Sequence, residues 1–139
     1  MNAFLFALLG LVFWGIAPIF GKIGLVDVAP GIALFMRSSI ITVILLVWLL
    51  ASGQAPCLAG VAPRSWLFIG LEGICAALLG HLAYYYALKL GDVSLVSPVI
   101  AAFPVITVLL AFLLLGEKYT PGKLVGTLLI ILGVFVIKN

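Results

Sequence analysis

The chain has 139 residues, 66% of them hydrophobic and 8% charged, with a formal charge of +3. So little polar surface excludes a water-soluble globular domain, and its scattered lysines and arginines form no basic patch for nucleic acid. Cys57 and Cys75 stand apart without CxxC or Cys/His spacing, so neither a disulfide frame nor a metal site is indicated, and no cofactor is expected.

Five apolar stretches divide the sequence: residues 3–20, 40–50, 65–88, 93–116 and 124–137. A helix needs roughly 20 apolar residues to cross the hydrocarbon core, where no water can satisfy backbone amides. The pattern predicts an all-α integral membrane protein of five transmembrane helices, in one domain over residues 1–139. The first helix covers residues 3–20 and stops at Gly21. It lacks a basic leading region and a small-residue cleavage site, so it reads as a retained helix rather than a signal peptide. The second covers residues 30–50, with Pro30 suited to a first-turn position. Trp48 near its end and Trp66 at the start of the third helix mark one membrane interface. The gap between them, residues 51–63, is expected to have no structure of its own.

The third helix covers residues 65–88 and carries Glu72 and His81 inside its apolar run. The fourth covers residues 94–115, where Pro98 and Pro104 remove ladder hydrogen bonds and invite a kink. The fifth covers residues 121–137, with Thr120 as N-cap and Pro121 at the first helical position. Tyr119, just before it, is assigned to the interface. The last helix rises about 24 Å, so it should stand nearly upright or thin the bilayer. It carries Gly122, Gly126 and Gly133 along one stripe, and the third helix carries Gly73 and Gly80. Such stripes let another backbone come near, either within one subunit or between subunits. For the last helix the subunit interface is the favoured reading.

An odd number of crossings puts the termini on opposite sides. The N-terminal side carries Arg64, Lys118 and Lys123; the other carries Lys22, Lys89 and Lys138, with Arg37 just inside the second helix. Orientation normally follows an excess of lysine and arginine on the cytoplasmic side, and here there is scarcely any excess. Insertion should then yield both orientations. An up copy and a down copy paired antiparallel would generate the inverted symmetry that many transporters encode in one longer chain. The alternative is a single orientation fixed by other factors.

Three segments resemble the EamA-type domain of the drug/metabolite transporter superfamily: LLGLVFWGIAPIFGKIGL (residues 8–25), ALFMRSSI (33–40) and the stretch 83–137. The last holds an Ala-Leu-x-x-Gly-Asp-x-Ser turn, Pro98 and Pro104, a Leu-Gly-Glu-Lys segment and a closing GTLLIILGV. The resemblance implies one five-helix repeat, half of an inverted-repeat ten-helix transporter, beginning before the first helix and ending after the fifth. The chain also resembles, more distantly, the four-helix small multidrug resistance proteins, which work as antiparallel dimers. In place of their first-helix glutamate this sequence has Trp14, which argues against that cation–proton mechanism.

Arg37, Glu72 and His81 are the ionisable groups inside the apolar runs, and such groups are costly enough to be functional candidates. Arg37 lies about 10 Å in from one side and Glu72 about as far in from the other. In an antiparallel dimer, Glu72 of one copy shares a level with Arg37 of the other and can pair with it. Nine positions on an α-helix place Glu72 and His81 on nearly opposite faces, so at most one points into a central cavity. Snorkelling of Arg37, a neutral hydrogen-bonded Glu72 and a packed His81 are the plainer alternatives. Trp14, Pro18, Tyr84, Tyr85, Phe103 and Pro104 are the further cavity candidates, offering flat rings, hydroxyls and kink points.

These features predict a secondary transporter, exporting small organic metabolites by alternating access, in the cell (inner) membrane. Its partners are lipid, the solute and a second copy of itself. A non-transporting membrane subunit, or one half of a heterodimeric transporter, is the competing reading. No catalytic constellation is present, so an enzyme is not expected.

Overall fold

A computed structural model describes residues 2–118 and 120–138. Met1, Tyr119 and Asn139 lie outside the described residues, and so does the interfacial assignment of Tyr119. Among the described residues the structure is entirely helical, with five helical stretches long and apolar enough to span a membrane. The chain divides into two units, Met1–Leu90 and Gly91–Asn139.

In the first unit, α1 runs Ala3–Gly24 and α2 runs Pro30–Ala51. Both are predominantly apolar, and Pro30 opens α2 because its missing N–H falls where no intrahelical partner exists. The expectation that the first helix stops at Gly21 is corrected. Gly21 lies within α1, and a Cβ there would come within 3.3 Å of Leu88 Cδ1. Glycine therefore serves a close helix approach at this position, not a terminus. The gap after α2 is also more ordered than its composition indicates, since Ala55–Gly60 forms a 3-10 turn begun by the fixed φ of Pro56.

The third span, Pro63–Leu90, is one continuous helical path of three different parts. α3 covers Pro63–Glu72, a π-helical segment covers Gly73–Gly80, and α4 covers His81–Leu90. At Gly80 a Cβ would sit 3.0 Å from the Cys75 carbonyl, so a side chain here would crowd the widened turn. The segment still satisfies its backbone internally, as lipid requires. α4 packs against both α1 and α2.

In the second unit the fourth span is broken. α5 covers Val93–Ala101 and passes through Pro98, whereas a turn at residues 102–103 separates it from α6, Pro104–Leu115. The interruption falls immediately before Pro104, whose ring cannot donate to the ladder. Gly116, at φ 65°, ends α6 and lets the Glu117 N–H bond the Ala111 carbonyl at 3.3 Å. α7 covers Pro121–Lys138 and starts with the expected cap: Thr120 Oγ1 accepts from the Lys123 N–H at 3.3 Å. α7 contacts both α5 and α6.

Candidate functional site

The first unit is closed at the end where α1, α2 and α4 meet. Pro18, Leu25, Pro30, Leu34 and Leu88 are buried there. Two lysines tie the backbone across long sequence distances. Lys22 Nζ donates to the Leu88 carbonyl at 2.6 Å, and Lys89 Nζ donates to the Val28 carbonyl at 2.8 Å. Leu88 is in the last turn of α4, where carbonyls lack helical partners and a positive charge is favoured.

Above this closed end lies a groove of about 360 Å³ between α1, α2 and α4. The small residues Ala17, Gly21, Gly24 and Ala33 leave the space, and Phe20, Met36, Arg37 and Tyr85 give it character. Arg37 is half-buried in it and, among the described residues, makes no hydrogen bond or ion pair. Behind Tyr85 stand Tyr84 and His81, in edge-to-face and tilted contacts with centroids 6.2–6.3 Å apart. His81 Nδ1 donates to the Ala76 carbonyl at 2.9 Å, which the His81 backbone N–H also approaches. A neutral His81 ring then keeps Nε2 as an acceptor.

The sequence candidates separate on this geometry. Tyr85 and Arg37 share the groove, and His81 and Tyr84 stack beside it. Trp14, on α1, is exposed and outside the groove lining, whereas Pro18 is buried at the closed end. Glu72 is exposed and forms no ion pair with Arg37 within the chain. Phe103, in the break of the fourth span, is exposed, and Pro104 after it is half-buried. Gly122, Gly126 and Gly133 face open space, with nothing within 4 Å of a Cβ built on any of them.

The opposite-face placement of Glu72 and His81 is corrected by the π segment. An i→i+5 turn accommodates about one extra residue, so the rotation between the two falls by roughly 100°. They then project within roughly a quarter turn of one another. Depth changes too: counted from Pro63, Glu72 lies about 14 Å into the third span, and His81 lies about as far from Leu90. Sequence reasoning missed Phe20, Met36 and the paired small residues Gly21 and Gly24. The i, i+4 and i, i+3 spacing of Ala17, Gly21 and Gly24 along α1 was a visible signal of a recessed face.

A second, smaller cavity of about 180 Å³ lies in the Gly91–Asn139 unit, lined in part by Thr107, Phe112, Glu117 and Lys123. There Lys123 Nζ pairs with Glu117 Oε2 at 2.9 Å.

The model of the EamA-like transporter family matches residues 1–138. The chain belongs to that family. An uncharacterized transporter of Sinorhizobium sp. is 30% identical over 131 residues, covering 94% of this chain and 92% of that protein. An uncharacterized transporter of Clostridium kluyveri is 27% identical over 128 residues, which cover 92% of this chain but 41% of the relative. An uncharacterized transporter of Archaeoglobus fulgidus is 32% identical over 65 residues, 47% of this chain and 24% of that protein. No solved structure matches. With five apolar spans and this family membership, the EamA-like chain is a multi-pass membrane protein.

Proposed function

We propose that this EamA-like chain is a secondary transporter of small organic solutes, working by alternating access as an antiparallel, dual-topology homodimer in the cell membrane. Net export is the expected direction. The observation that carries the reading is five spans with basic residues divided almost evenly, three against four, between the two sides. Two further features support it. The glycines of α7 have room for another backbone, so close packing within the Gly91–Asn139 unit does not account for their stripe. The Clostridium relative is more than twice as long as the stretch it shares, while the Sinorhizobium relative matches almost end to end. Half-length and longer forms of one architecture are what inverted pairing of two copies would produce. The break before Pro104 and the π segment are discontinuities at which spans can rock.

Cytoplasmic-active and externally active reporters fused to the C-terminus test the pairing. Activity from both is expected; activity from one alone rejects dual topology. Flux of a metabolite panel into liposomes carrying the purified protein, with and without a pH gradient, tests transport itself.

A further inference from the structure

We infer that the groove between α1, α2 and α4 binds the carboxylate of an organic acid with a flat apolar body, Arg37 holding the charge. The inference deepens the transport reading by naming a solute class. A guanidinium about 10 Å inside an apolar span is costly unless an anion meets it, and among the described residues none does. Its planar fork suits two-point binding of a carboxylate.

The surroundings fit the same ligand. Among the described residues no carboxylate lines the groove, whereas Lys22 and Lys89 stand at its closed end, with Asp27 in the neighbouring loop. The local charge is therefore positive and disfavours cationic solutes. Phe20, Met36 and Tyr85 supply apolar and aromatic surface, and Tyr85 carries a hydroxyl that can act as a second donor. The space, about 360 Å³, is of the size that small-molecule sites have. Gly21 and Gly24 keep it open on the α1 side by contributing no side chain, beside the small Ala17.

The test is titration calorimetry on the full chain in dodecyl maltoside, with three probes: 1-naphthoate, its uncharged carboxamide, and short-chain phosphatidylglycerol. The expected result is saturable binding of naphthoate that weakens about tenfold or more in Arg37→Gln and less in Arg37→Lys. The carboxamide should bind weakly and alike in all three proteins. Unfolding curves of the variants identify any loss that comes from misfolding, and Tyr85→Phe then provides a milder variant, expected to weaken naphthoate several-fold. Equal binding of acid and amide overturns the inference. So does Arg37-dependent binding of phosphatidylglycerol alone, which would make the site a lipid headgroup contact. Naphthoate binding that emerges only in Glu72→Gln overturns it too, because Glu72 of a second copy would then be the natural occupant. Binding in detergent does not require flux or orientation. Its failure therefore leaves transport standing, and binding without flux in liposomes would count against transport alone.

Discussion

The two ends of the Met1–Leu90 unit are built differently from the same kind of residue. At the closed end, prolines and leucines of α1, α2, α4 and the turn after α1 are buried, Gly21 lets α4 come near, and two lysines reach across to carbonyls. Towards the other end, around Gly10, Ile44 and Phe68, the helices are as apolar but nothing is buried. In lipid, apolarity does not draw helices together, because the tails are as apolar as leucine. What distinguishes the ends is shape and hydrogen bonding. Glycine permits close approach at one end, and cationic side chains cap helix carbonyls there. The open end leaves its surface for lipid or another chain.

The largest effect should come from filling the closed end. Gly21→Leu places a side chain where the Leu88 methyl already stands at 3.3 Å from a Cβ. Overpacking of this kind costs about 1–3 kcal/mol, and the groove beside it would be lost as well. Unfolding of the purified protein in detergent, followed by circular dichroism, measures it. Wild-type stability in this variant would mean that α1 and α4 do not approach here.

The lysine ties come next. Lys22→Met keeps most of the side-chain volume but leaves the Leu88 carbonyl without its charged donor. The expected cost is about 1–2 kcal/mol, since Lys22 is half-buried. Lys89→Met should cost less, because its bond to Val28 is exposed and screened. An equal loss in both would show that burial does not set the strength of these ties.

The sequence displayed the spans because apolar length is a local property. Pro30, Thr120 with Pro121, and the break before Pro104 were legible for the same reason: caps and proline breaks depend on a few adjacent residues. The extension of α1 past Gly21 was not, because the reason for that glycine is Leu88, 67 positions away. The π segment was hidden too. Any estimate of which residues share a helix face assumes 3.6 residues per turn, and that assumption set Glu72 against His81. The groove draws on three helices distant in sequence. Arg37 and Tyr85 each stood out as a residue, but nothing local in either one indicated that the two would line one space.

The smallest effect sharpens the comparison most, because it repeats the glycine test on the same helix at the other end. Gly10 lies in α1 with nothing within 4 Å of a Cβ built upon it. Within the Met1–Leu90 unit, Gly10→Ala therefore meets no obstacle and gains helix propensity, a stabilisation of at most about 0.5–1 kcal/mol. The same unfolding measurement should find a monomer unchanged or slightly more stable. If the assembled protein instead loses stability or its second copy, then the open end of α1 is where another helix lies against this chain. The lack of burial there would then be a property of the isolated chain, and Gly10 would do between subunits what Gly21 does within one.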